Sequence, residues 1–276
     1  MRIALINENS QAAKNEMIYA SLKKVAESKG HTVDNYGMYS ADDKAQLTYV
    51  QNGILAAILL NSGAADFVVT GCGTGEGAML ALNSFPGVLC GHVVDPSDAY
   101  MFMQINDGNA IALPFAKGFG WGAELNLTYI FEKLFEGEPG GGYPKERVVP
   151  EQRNKKILDG VRAVTLKQDL VEVLKELDQD LVKGAVAGEK FEELFFVALL
   201  SQRPQGRAEE QVDLAVGVAQ HPGVVRVGRH APQPEQHERF QTPDVCIRLL
   251  PQLFHVVVAH RHGSGAGRGK GLLPRL

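Results

Sequence analysis

From Arg2 to about Phe135 the sequence alternates short apolar runs with longer amphipathic stretches, and that alternation confines the chain to few folds. A strand buried on both faces reads as an unbroken apolar run, while a crossover helix repeats its apolar residues at helical spacing. The runs Ile3–Ile6, Thr32–Tyr36, Phe67–Thr70, Val88–Val94 and Asn109–Leu113 predict five strands. Gln11–Ser28, Lys44–Asn61, Gly75–Asn83, Pro96–Asn106 and Gly122–Phe135 predict the intervening helices. Met17, Leu22 and Val25 recur along the first, and Gly30 and Gly63 stop the first two. The expected fold class is therefore α/β, a doubly wound parallel sheet with ligands bound beyond the carboxyl ends of its strands. Glu138–Arg153 reads as a loop, followed by extra helices near Glu151–Ala163, Leu166–Leu177 and Glu189–Phe196.

Composition changes near Leu200. Residues 1–200 carry 18 Lys+Arg against 26 Asp+Glu, whereas residues 201–276 carry 10 against 6, so the net charge of −4 averages an acidic body and a basic end. The end also holds six of the eight histidines and nine of the thirteen arginines, with one Lys and no Asn or Tyr. Three regions follow: an α/β domain over 1–150, a helical extension over 151–200 and an atypical tail over 201–276. The acidic body argues against nucleic acid as a partner. Three cysteines, Cys72, Cys90 and Cys246, cannot complete a disulfide framework and show no metal-like spacing, which fits a reducing, cytoplasmic setting. The longest apolar run, Ile54–Leu60, falls far short of the ~18 residues a membrane span needs, so a soluble protein is expected.

The chemistry is concentrated after the third strand, in Gly71-Cys72-Gly73-Thr74-Gly75-Glu76-Gly77-Ala78. Such a loop brings backbone N–H groups to a ligand, and the helix that follows adds partial positive charge, so an anion or oxyanion suits it. Three readings compete. The loop is a tight turn around an inert cysteine; or it is a dinucleotide fingerprint, since Gly73 to Ala78 fits G-x-G-x-x-A and Asp95 lies about 20 residues on; or it is a proton-transfer site centred on the Cys72 thiol. The fingerprint normally follows the first strand of its unit, not the third.

GCGTGEGA, the following ALNSFPGV, the segment INDGNAIAL and the distal GGGYPKERV resemble the ribose-5-phosphate isomerase B and galactose-6-phosphate isomerase family, in order, over residues 1 to about 150. The resemblance implies a flavodoxin-like (Rossmann-like) five-stranded fold and an aldose–ketose isomerase that needs no metal and no other cofactor. It also implies a homodimer or tetramer whose sites are shared between subunits. Isomerisation passes a proton between C1 and C2 through an enediolate, which takes a base on carbon and donors for the oxyanion. Cys72 matches the family's thiolate base. The amides of Gly73, Gly75 and Gly77, with the Thr74 hydroxyl, match the donors. Glu8 and Asn9 stand where the family places substrate-binding residues after the first strand, although a helix N-cap explains them as well. Asn106, Asp107, Asn109 and Arg147 match further binding positions, although hydrogen bonding within their own loop explains Asp107 and Asn109 as well.

The departures from the family bear on the substrate. Where the family has H-N-D-x-N, with a histidine that opens the sugar ring, this chain has Ile105-Asn106-Asp107-Gly108-Asn109. Where it has G-G-R-H-x-x-R-V for phosphate, Tyr143 and Pro144 replace the first Arg and the His, and Arg147 is kept. Arginine's planar fork binds oxyanions bidentately, so one fork fewer weakens a phosphate site. A linear substrate with one carboxylate, such as a 4-deoxy-5-keto-uronate, needs neither lost group. A sugar phosphate held by Lys117, Lys145 or Arg153 is the competing substrate. A module that binds a nucleotide or sugar without chemistry is the reading from another class.

Other features weigh less. Glu76 opens a helix, an ordinary place for an acid, and a substrate contact is its other reading. Phe115, Phe119 and Trp121 suit core or interface, and Cys90 suits a buried strand. In the tail, Arg261-His262 and Arg268-Gly269-Lys270 suit a basic interaction segment, and His255, His260 and His262 lack co-ligands for a metal. Its exchange of Lys for Arg, with loss of Asn and Tyr, is also what translation of G/C-rich DNA in a shifted frame produces.

Overall fold

Five parallel strands form one sheet in the computed structural model, which describes residues 1–201. Every expectation for the tail, and Cys246 with it, lies outside the described residues. The strands are β1 (Arg2–Ile6), β2 (Thr32–Asn35), β3 (Phe67–Cys72), β4 (Cys90–His92) and β5 (Ala110–Pro114), in the order β2-β1-β3-β5-β4. The expected doubly wound α/β sheet is thus present. Its order differs from flavodoxin's 2-1-3-4-5 by an exchange of the last two strands, which sets β5 between β3 and β4.

Helices α1 (Asn15–Ser28), α2 (Tyr49–Asn61), α3 (Glu76–Asn83), α4 (Pro96–Met101) and α5 (Ala123–Leu134) cover both faces. Ile3, Leu5, Phe67, Val69, Ile111 and Leu113 point to the layer of α1, α4 and α5. Ala4, Ile6, Val68, Cys72, Ala110 and Ala112 point to the layer of α2 and α3. Crossovers through α2 and α3 move one way along the sheet, and those through α1 and α4 move the other. Opposite directions on opposite faces give one hand throughout, as β-α-β crossovers require.

Several boundaries shift for identifiable reasons. The helix expected from Lys44 begins at Tyr49, because Thr48 and Gln51 close a capping box there. The helix expected over Pro96–Asn106 is α-helical to Met101 and then turns through a π-helical segment, Phe102–Asn106. The Phe102 ring lies where side chains on Gly91 or Gly108 would otherwise sit. The expected loop Glu138–Arg153 is helical from Val148, as α6 (Val148–Thr165). Pro150 falls in its first turn, where a missing N–H costs nothing.

Three further helices, α7 (Leu170–Glu176), α8 (Gln179–Ala185) and α9 (Phe191–Ser201), follow. Sequence reading missed α8, which Asp178 starts by accepting from the Asp180 and Leu181 N–H groups. These helices are no separate layer. Leu170, Leu174, Val182, Phe191 and Phe195 join the core cluster that surrounds α2. Phe191 stacks on Phe195 at 5.0 Å between centroids and meets the Tyr36 ring at 6.3 Å. A helix as apolar all round as Gly53–Leu60 needs such cover on both sides.

Candidate active site

Cys72 ends β3 and faces α2 and α3, with 7% of its surface exposed. β3 lies between β1 and β5, beside the point where the winding reverses, so the loop after Cys72 opens into the crevice where doubly wound sheets bind ligands. The Cys72 Sγ accepts the Gly75 N–H at 3.2 Å, which turns the loop back on the thiol. Gly75 has φ +82°, a left-handed conformation that glycine adopts without steric cost. It also has no side chain to cap α3, so the first-turn N–H groups of Glu76 and Gly77 remain for a ligand. Among the expected donors, the Gly75 N–H is directed at the Cys72 sulfur in this structure. Gly73 accepts from Ala116 through its carbonyl, and Thr74 is exposed.

A histidine that sequence reading passed over reaches this loop. His92, the last residue of edge strand β4, sits on the Cys72 face of the sheet and places Nε2 2.9 Å from the Thr74 carbonyl oxygen. That oxygen only accepts, so Nε2 carries the proton. A methyl group on Gly75 would lie 2.8 Å from this ring. The only signal in the sequence was an imidazole at the carboxyl end of a predicted strand.

Beside the loop, Glu8 is buried and committed. One carboxylate oxygen accepts the Ser10 N–H at 3.0 Å and the other the Ser10 hydroxyl at 2.5 Å, so Glu8 caps the 3-10 turn Asn9–Lys14. Asn9 is exposed, with its N–H donated to Leu47. Asn7, fully buried at the end of β1, has no hydrogen-bond partner for either side-chain amide atom among the described residues. Asn52 donates to Thr70 Oγ1 at 3.1 Å, and Thr70 donates to the Ile6 carbonyl at 2.7 Å, locking α2 to β3 and β1 one pleat below Cys72. Asp95, the acid of the dinucleotide reading, caps α4 through one carboxylate oxygen, which accepts the Ser97 and Asp98 N–H groups.

The remaining expected residues lie elsewhere. Cys72 pairs with Pro114 at one end of β5, and Asn109 precedes its other end, so the two levels are about 16 Å apart at ~3.3 Å per residue. Asn109 is consumed by structure: it accepts the Leu89 N–H and donates to the Gly87 carbonyl, both at 2.8 Å. Asp107 adopts φ +46°, and Asn106 is exposed. Arg147 belongs to this second group, because the glycine segment before it hydrogen-bonds to the π-helical turn through Gly140 and Gly142. Its side chain is 63% exposed and pairs at 3.6 Å with Glu151, which also accepts the Tyr143 N–H. One chain therefore does not bring Cys72 and Arg147 into one site.

Cys90 is buried below the loop, and burial pushes its thiol well above the ordinary range. Among the described residues no cluster of His, Cys, Asp or Glu is arranged to hold a metal, and no helix is long and apolar enough to cross a membrane.

A family model described as ribose/galactose isomerase matches residues 3–136, and one described as ribose-5-phosphate isomerase matches residues 164–198. A solved structure of 4-deoxy-L-threo-5-hexosulose-uronate ketol-isomerase, complexed with a tartrate, is 66% identical over 72% of this chain and 92% of its own, with a TM-score of 0.70. The chain belongs to the ribose/galactose isomerase family. It is an enzyme of the aldose–ketose isomerase class. A second similar structure, described as ribose-5-phosphate isomerase LacAB_rpiB from Vibrio parahaemolyticus, is 56% identical over 72% of this isomerase and 92% of its own chain, with a TM-score of 0.69. Type B ribose 5-phosphate isomerase from Trypanosoma cruzi, 19% identical over 59% of this isomerase and 97% of its own chain with a TM-score of 0.50, shares the fold. No curated protein sequence matches. The match over 164–198 extends the family beyond the first 150 residues, into the helices that cover α2.

Proposed function

We propose that this isomerase interconverts the aldose and ketose forms of a linear sugar acid, a 4-deoxy-5-keto-uronate, with the Cys72 thiolate carrying the proton between C1 and C2. The observation behind the substrate is Ile105, an aliphatic side chain at the position matching the family's ring-opening histidine. Aliphatic carbon transfers no proton, and a substrate that is already linear asks for none. The 66% identity to a hexosulose-uronate ketol-isomerase supports the same reading.

In this reading the substrate lies over the Cys72–Gly77 loop, in a cytoplasmic enzyme. The thiolate removes the carbon-bound proton and returns it to the neighbouring carbon. The first-turn amides of α3, Gly73 and the Thr74 hydroxyl hold the enediolate oxygens, with Glu8 and Asn9 bordering the substrate. Arg147 and Asn106, about one strand length away in their own chain, serve the site of a second copy, so the working unit is a homodimer with shared sites. Arg147 of the partner subunit then receives the carboxylate.

A phosphorylated aldose is the second reading, favoured by the 56% identity to a ribose-5-phosphate isomerase. Incubation in D2O with the linear uronate, ribose 5-phosphate, allose 6-phosphate and galactose 6-phosphate separates the two. Deuterium incorporation into the uronate is expected, and incorporation confined to phosphorylated sugars overturns the proposal.

A further inference from the structure

We propose that His92 is a positioning residue for the Cys72 thiol, acting through the single peptide unit Thr74–Gly75. The inference builds on the reading of Cys72 as the proton carrier. The carbonyl of Thr74 and the N–H of Gly75 belong to one amide. Its oxygen accepts from His92 Nε2 at 2.9 Å, and its N–H donates to Cys72 Sγ at 3.2 Å. In a trans amide these groups point opposite ways, so the imidazole and the sulfur grip the same plane from its two edges.

Two consequences follow from that geometry. The imidazole fixes the rotation of the amide and so keeps the N–H aimed at sulfur. Drawing electron density toward the carbonyl oxygen also makes the N–H a better donor, the cooperativity expected of hydrogen bonds in series. A stronger donor stabilises the negative charge the sulfur bears when it takes part in proton transfer.

The surroundings are built for this reach. His92 and Cys72 lie on the same face, with β5 between their strands, and the register sets His92 beside Ala112. The β5 side chain at the level of His92 is the small Ala112. Glycine at 75 admits the ring, since a Cβ there would meet it at 2.8 Å. A ring serving only as filler would need no donor aimed at the Thr74 carbonyl.

The test compares His92→Leu, which keeps the bulk and removes the donor, with His92→Gln, which returns an N–H near the Nε2 position. The first readout is the rate at which iodoacetamide alkylates Cys72, followed by the mass of its peptide so that Cys90 and Cys246 do not interfere. The second is kcat and KM on the substrate that the deuterium panel selects. His92→Leu is expected to slow alkylation of Cys72 and kcat about five- to tenfold, the weight of one hydrogen bond, with KM within about twofold. His92→Gln is expected to restore both to within about twofold of the parent.

Parental alkylation in the Leu variant, or a Gln variant as slow as the Leu variant, overturns the proposal. Should the Leu variant fail to fold, His92→Asn takes its place, because its shorter amide stops short of Thr74; equal rates for Asn and Gln then overturn it. Full isotope exchange by a Cys72→Ala variant refutes the base assignment instead, and leaves the alkylation comparison to decide the role of His92.

Discussion

A thiol at a strand's end is not yet a base; here a backbone amide on its sulfur gives the sulfur a direction. Replacing Cys72 by Ala is expected to lower isotope exchange by about 10²–10⁴, the usual weight of a positioned base, while circular dichroism stays unchanged. Gly75→Ala forces a side chain into φ +82° and against the His92 ring. The expected loss is about 1–2 kcal/mol of stability in urea titration, together with slower Cys72 alkylation. Cys72 was legible in the sequence because its glycines are neighbours along the chain. His92 was not, because its contact depends on β4 lying one strand beyond β5, and no local pattern encodes that order. Glu8 shows the opposite case: of two readings open in the sequence, capping the turn is the one its hydrogen bonds realise.

Helix starts are set by local capping residues, some read from the sequence and some not. Thr48 with Gln51 set the start of α2, and Asp95 followed by Pro96 set that of α4. The Ser97 hydroxyl and the Asp98 and Ser97 N–H groups hold the Asp95 carboxyl below its ordinary range. Because the folded value is the lower one, the cap's contribution is complete above the ordinary carboxylate pKa near ~4 and drains away as pH falls through the lowered value. Asp95→Ala is thus expected to cost about 0.5–1 kcal/mol at pH 7, the lower part of the range for a screened cap. The difference in Tm from the parent should shrink as thermal melts move toward about pH 3. A cost independent of pH would remove the carboxylate from the explanation. The end of α4 was harder to read, because the Phe102 ring in its π-helical turn packs on Gly91, a residue of another element, as well as on Gly108.

Across the whole molecule, the five-strand alternation could be read directly, while the role of residues 170–198 could not, since amphipathic spacing shows a helix and not what it covers. Phe195→Ala is expected to cost about 3–5 kcal/mol by chemical denaturation, the loss for a buried core aromatic, although Phe195 lies far along the chain from every strand. Shared sites predict complementation. Equimolar Cys72→Ala and Arg147→Ala chains, unfolded and refolded together, should regain about a quarter of parental activity, from one intact site in half of the randomly paired dimers. Activity no higher than the mean of the separate variants would place both residues' work within one chain. The cover on α2 also orders events at the ribosome. All five strands emerge by Pro114, yet the helix that backs β3 has its outer side closed only when α7 and α8 have been made. The loop after β3 in a nascent chain is therefore expected to settle only when synthesis of the described residues is nearly done, and a stalled or shortened message to yield a sheet whose central support is still bare.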